Sequence, residues 1–190
     1  MDEVATMHQV IVETSRVVEN IEPAQLDNPS PCAEWTVRDV LNHITGGATM
    51  FGLCVRDGNV PDEKLGELMT GDNLGSDYKG AWTSAAADAE ESFAIPGAMD
   101  KIVKLPFGEM PAGMALNIAI FDVTTHAWDL AKATGQSTDL DPEVSGIAYQ
   151  VAQGMLSDEM RSSGIFGPEV AVSADAPMAD RLAGLAGRTP

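Results

Sequence analysis

The segment that most narrows what this chain can fold into runs from Trp35 to Val55, because it specifies both where a helix starts and which face it buries. Thr36 is placed to cap the free amides of a first turn, Asp39 follows three residues later, and Trp35 and Val40 occupy the two positions of a hydrophobic staple. At about 100° per residue, Val37, Val40, Leu41, Ile44, Ala48, Phe51 and Val55 gather on one side. His43, Gly47, Met50 and Cys54 form an adjoining stripe. Gly46 and Gly47 each cost a helix about 1 kcal/mol relative to Ala. Small residues beside a histidine serve either a pocket wall or close helix packing, the second being commoner.

Other segments repeat the helical signature. Val4, Met7, Ile11, Val18 and Ile21 recur at helical intervals, ending before Pro23 and the Asp27-Asn28-Pro29 turn. Residues 60–78, rich in Gly, Asp and Pro, read as an irregular connection, and the Ala-rich stretch from Tyr78 to Phe93 reads as a helix. Lys101 to Leu105 has a short β-like character followed by Pro106, Gly108 and Pro111, after which a long helical pattern runs from Ala112 to Ala133 and stops at Gly135. Asp141 and Pro142 open a further helix to about Leu156, and the tail returns to helix near Met178 to Leu185. The expectation is an all-α bundle with core helices near residues 4–20, 36–55, 77–94 and 112–134, a short hairpin around Ile102 to Leu105, and one domain over residues 1–190.

Composition excludes several classes of function. With 11 Lys and Arg against 29 Asp and Glu, the formal charge of -18 would repel a polyphosphate backbone, so no nucleic-acid partner is expected. No run of about 18 apolar residues exists to span a bilayer, and Met1-Asp2-Glu3 lacks the basic-then-apolar order of a secretion signal. A cytoplasmic protein without membrane attachment is expected. Two cysteines, Cys32 and Cys54, without CxxC spacing point to reduced thiols, and Cys32 reads as structural. A homodimer through an apolar helix face is compatible with the pattern, although no seam is unambiguous.

The chemistry concentrates around two of the three histidines. Asp122 and His126, four apart on one helix, stand on the same face and can present an oxygen and a nitrogen to one point. If a neighbouring helix supplies His43, two nitrogens and one oxygen occupy one hemisphere of an ion, with positions open for water or substrate. The competing reading is a helix-internal hydrogen bond between Asp122 and His126, with His43 at the edge of the core. Asp129 reads equally as a group that orients His126 or as a surface or capping carboxylate. His8 reads as a core-edge or pocket-lining residue rather than a fourth ligand. Cys54 sits about 16 Å along the helix from His43, too far to share an ion, and Trp35 and Trp128 read as packing anchors.

Four stretches together resemble a known family: Pro29 to His43, Phe107 to Pro111, Phe121 to Gly135, and Phe166 to Val170. They are similar to the DinB-like superfamily, specifically the actinobacterial metal-binding proteins related to the N-terminal domain of mycothiol-dependent maleylpyruvate isomerase. The resemblance implies a four-helix bundle with a long crossover and a divalent metal held at one end by three side chains, here His43, Asp122 and His126. Zinc is the usual ion, with nickel, iron and manganese as alternatives. It further implies a low-molecular-weight thiol cosubstrate of the mycothiol type, activated for transfer or isomerisation. The alternative is a non-catalytic module that binds metal or senses metal or thiol. Where the isomerase pattern has Glu-x-x-x-His, this chain has Asp122-x-x-x-His126, one methylene shorter, and no counterpart of the isomerase's separate C-terminal domain is expected in it, so the named isomerase activity is not expected to carry over.

Overall fold

A computed structural model describes residues 3–162 and 166–190; Met1 and Asp2 of the acidic start lie outside the described residues. Four long helices form the bundle: α1 (Glu3–Glu19), α2 (Val37–Asp57), α4 (Tyr78–Phe93) and α5 (Ala112–Ala133). Their directions follow from side-chain bonds between helices. Asn117 of α5 donates to Glu3 near both helix starts, and Gln136 beyond α5 donates to the carbonyl of Val17 near the end of α1, so α1 and α5 run parallel. Trp82 Nε1 donates to Ser15 Oγ at 3.0 Å, and His8 meets Glu90 at 2.7 Å, which makes α4 antiparallel to α1. Near the start of α2, the Asn42 side chain accepts from the amide of Asn73, and near its end Arg56 donates to Asp88, so α2 runs with α4.

Two adjacent parallel helices need a connection that returns the full length of the bundle. Residues 58–77 make that return, and this is the long crossover. The irregular connection expected there contains a helix, α3 (Asp62–Thr70). Only Leu68 of α3 is buried and Gly66 interrupts it, so the segment carries no apolar stripe to announce itself.

Between α4 and α5 lies the hairpin, with β1 (Ile102–Leu105) antiparallel to β2 (Gly108–Pro111). Beyond the bundle, α6 (Pro142–Met155), α7 (Asp158–Ser162) and α8 (Met178–Leu185) complete the described helices, with Asp141 capping α6 as expected. Ala179, Leu182 and Ala183 of α8 are fully buried, and Trp128 Nε1 of α5 donates to Asp180 at 2.8 Å, so Trp128 is the packing anchor its sequence context indicated. The fold is an all-α four-helix bundle with a long crossover and a hairpin, followed among the described residues by α6, α7 and α8. Among the described residues, no helix is long and apolar enough to cross a membrane.

Candidate metal centre

The start of α2 is fixed by a reciprocal cap. Thr36 Oγ1 accepts from the Asp39 amide at 3.2 Å, and Asp39 Oδ2 accepts from the Thr36 amide at 2.8 Å. Immediately before it, Glu34 adopts a left-handed φ of 67°, alone in this among the described non-glycine residues. Such backbone strain is held only where surrounding contacts determine it. Here the turn is closed by the Trp35 amide donating to the Cys32 carbonyl and the Ser30 amide donating to the Trp35 carbonyl, and the Trp35 ring centroid lies 5.0 Å from that of His43 and 5.8 Å from that of His126. Trp35 is therefore more than the staple expected of it, since its indole walls the histidine pair.

His43 on α2 faces Asp122 and His126 on the antiparallel α5. His43 Nε2 lies 3.2 Å from Asp122 Oδ1, and His126 Nε2 lies 3.6 Å from the same oxygen. All three donor atoms fall within 4.8 Å of one another. The separation within α5 is too long for the helix-internal hydrogen bond of the competing reading. Asp122 Oδ1 instead pairs with His43 across the two helices, with His126 Nε2 facing the same oxygen. His126 is 8% exposed, whereas Asp122 and His43 are 29% and 33% exposed, so the cluster is closed behind His126 and open in front.

A second tier fixes His126 from behind. Its Nδ1 meets Asp129 Oδ2 at 2.9 Å, which directs Nε2 toward Asp122. Asp129 is fully buried, which decides between the two readings of that residue in favour of orienting His126. Its charge is met by Arg188, whose Nε and Nη2 donate to Oδ1 and Oδ2 at 3.2 and 3.0 Å, while Nη1 donates to the carbonyl of Ala186. Sequence reasoning missed Arg188, which stands 59 positions beyond Asp129 in a Gly-rich tail without periodicity.

Electrostatics follow this geometry. Burial pushes the Asp122 carboxyl up, but His43, then His126 and Arg188, outweigh it and hold the group at about 2. For His43, burial works against the charged form, and Asp122 more than compensates, so its pKa is raised. Asp129 is lowered by His126 and Arg188 against its own burial.

The remaining expectations divide. Cys32, read as structural, has its sulfur within 4.8 Å of donor atoms of His126 and Asp129, and burial pushes its thiol pKa up. Cys54 is buried well along α2 and donates to the carbonyl of Lys104. His8 is neither core-edge nor pocket-lining: its side chain is exposed and pairs with Glu90 on α4. Gly46 serves close packing, because a Cβ there would lie 2.6 Å from the Leu68 carbonyl and the Asn73 side chain; Gly47 faces open space and lines a cleft. That cleft, of about 490 Å³, opens in front of His43 and Asp122, between α2, α5, the crossover helix α3 and the hairpin turn.

The donor set of two imidazoles and one carboxylate, with one imidazole held by a buried carboxylate, suits a divalent transition ion and leaves room on the cleft side for further ligands. Comparison with known proteins agrees with the fold. Two solved structures superpose on 86% of this chain and 71% of theirs: the mycothiol-dependent maleylpyruvate isomerase, at 14% identity and a TM-score of 0.64, and a histidine-to-alanine variant of it, at 13% and 0.60. An uncharacterized protein of Mycobacterium tuberculosis, present in strains CDC 1551 / Oshkosh and ATCC 25618 / H37Rv, is 39% identical over 171 residues, which is 90% of this chain and 88% of that protein. Residues 7–131 match the model of the mycothiol maleylpyruvate isomerase N-terminal domain, and the chain belongs to that family.

Proposed function

We propose that His43, Asp122 and His126 bind one divalent metal ion, zinc ahead of nickel, iron or manganese, and that the loaded protein is a thiol-dependent transferase or isomerase. The observation that carries this reading is the convergence of the three donor atoms within 4.8 Å at the foot of an open cleft. When bound, such an ion supplies Lewis acidity that lowers the pKa of a thiol ligand and makes a thiolate available near neutral pH. The chain's own residues supply the rest. Asp129 and Arg188 hold His126 in the tautomer with Nε2 unprotonated, Asp122 contributes a carboxylate that stays ionised, and Trp35 keeps water from one side of the histidine pair.

The family points to mycothiol as the first thiol to try. The partial exposure of Asp122 and His43 toward the cleft favours a working site over an ion that only staples the bundle, because a structural site is closed by its protein ligands.

Calorimetry tests the reading. Zinc is expected to bind at one site per chain, and mycothiol to bind the zinc-loaded protein with release of a proton, counted by repeating the titration in buffers of different ionisation enthalpy. Bacillithiol and glutathione serve as controls. Thiol binding unchanged by chelation, or by His126→Ala, would reject the thiol-activating role and leave a metal-binding module.

A further inference from the structure

The cleft in front of the cluster has a chemical character of its own. Its walls carry Met50 and Phe51 from α2, Leu68 and Met69 from α3, Phe107 from the hairpin turn and Ile118 from α5. Among the described residues its acidic lining is unbalanced, because Glu34, Asp39 and Asp122 contribute carboxylates and neither lysine nor arginine takes part. His43, the one described lining side chain able to carry positive charge, faces Asp122 at 3.2 Å. Two of the apolar residues stand at the mouth with more than half their surface in water, Met69 at 56% and Phe107 at 58%.

Large apolar side chains left in water on two separate elements, facing one cavity, gain by being covered: apolar area removed from water contributes about 25 cal/mol per Å². In the metal-free cleft a ligand bearing a carboxylate or phosphate would have to shed its hydration among three carboxylates with neither lysine nor arginine to pair with it, and an unpaired charge is strongly disfavoured in such a setting. The cavity volume lies within the range of small-molecule sites.

We infer that this cleft binds an uncharged, predominantly apolar small molecule, seated between Met69 and Phe107 with its inner end toward His43 and Asp122. The inference depends on the thiol-dependent reading only in calling that molecule the acceptor substrate; the binding preference stands on the cleft lining alone.

The test uses a matched pair of probes, methyl 2-naphthoate and 2-naphthoate, which share a ring system and differ in charge. Both are titrated by NMR into the full chain, once after chelation and once loaded with zinc. The ester is expected to bind the chelated protein at least about tenfold more tightly than the carboxylate. It should bind the zinc-loaded protein with similar affinity. Met69→Ala and Phe107→Ala, both at exposed positions that leave the core intact, should each weaken the ester severalfold, and Phe107→Lys should narrow the gap by improving the carboxylate. Equal affinity of the two probes for the chelated protein, ester binding unmoved by both alanine variants, or no saturable ester binding overturns the inference. Failure of zinc to bind in calorimetry rejects the metal reading while leaving the probe result intact, so the two failures are distinguishable.

Discussion

Arg188 grips Asp129 with two nitrogens, Nε to Oδ1 at 3.2 Å and Nη2 to Oδ2 at 3.0 Å, and the same Oδ2 faces Nδ1 of His126 at 2.9 Å. Both charged side chains are withdrawn from water, at 8% and 0% exposure. Removing the guanidinium would strand a buried carboxylate, which costs about 3–5 kcal/mol. Arg188→Ala is therefore expected to lower the free energy of unfolding by that order in urea titrations. Among molecules that remain folded, zinc affinity should fall about 10- to 100-fold, because His126 loses its fixed orientation. Arg188→Lys keeps the charge without the two-pronged geometry and is expected to fall between.

Acid stability of the metal-free chain should report Asp122. Its carboxyl, pushed up by burial yet held at about 2 by His43 and then His126 and Arg188, is lower than the unfolded value of about 3.9. A depressed carboxylate contributes stability that is present above its unfolded pKa and is lost as pH falls through the folded one. The contribution, on the order of 2 kcal/mol, should disappear between about pH 4 and pH 2. Urea midpoints across that window are expected to fall more steeply for the natural chain than for Asp122→Asn. His43 acts with the opposite sign: with its folded pKa raised, its share is present below about pH 6.5 and fades as pH rises through the folded value.

Adjacent glycines should respond in opposite directions. Gly46→Ala drives a methyl to within 2.6 Å of the Leu68 backbone carbonyl, which cannot yield without moving the crossover, so this variant is expected to be destabilised. Gly47→Ala meets open space and removes a helix-disfavouring residue, for a gain of up to about 1 kcal/mol. Thermal denaturation of the two variants side by side checks the sign of each.

The cap on α2 should matter beyond its own helix. Thr36→Ala deletes the oxygen that accepts from the Asp39 amide, at a cost of about 1 kcal/mol. Trp35 is the next residue toward the N-terminus and lies against both histidines, so the variant is also expected to broaden or shift the histidine ring resonances in proton NMR, whereas a cap of purely local effect would leave them unchanged.

What was legible in the sequence follows from where each signal is local. The helices α1, α2, α4 and α5 announce themselves because buried residues recur at helical spacing, and Thr36 with Asp39 marks the start of α2 as Asp141 with Pro142 marks that of α6. Asp122 and His126 are visible as a pair for the same reason, being one turn apart. The helix α3 is hidden because it buries a single side chain, Leu68. Arg188 and Cys32 lie in irregular stretches without period, and their approach to Asp129 and His126 is a product of tertiary packing that no local pattern carries. His8 misleads, since its nearness to an apolar stripe says little about whether its ring reaches the core or, as here, solvent and Glu90.

The parallel course of α2 and α4, and of α1 and α5, has a consequence for how this chain reaches its native state. Parallel neighbours cannot form as a local hairpin, so the chain must complete the full-length return of residues 58–77 before α4 can dock on α2, and α5 must come back to a partner more than a hundred residues earlier. His43 and Asp122 are 79 positions apart, and Arg188 lies a further 66 beyond Asp122, so their meeting reports closure of the whole bundle rather than of any one part. Refolding followed through the histidine resonances should therefore lag behind helix formation followed by circular dichroism, and the site should be the last region to become native.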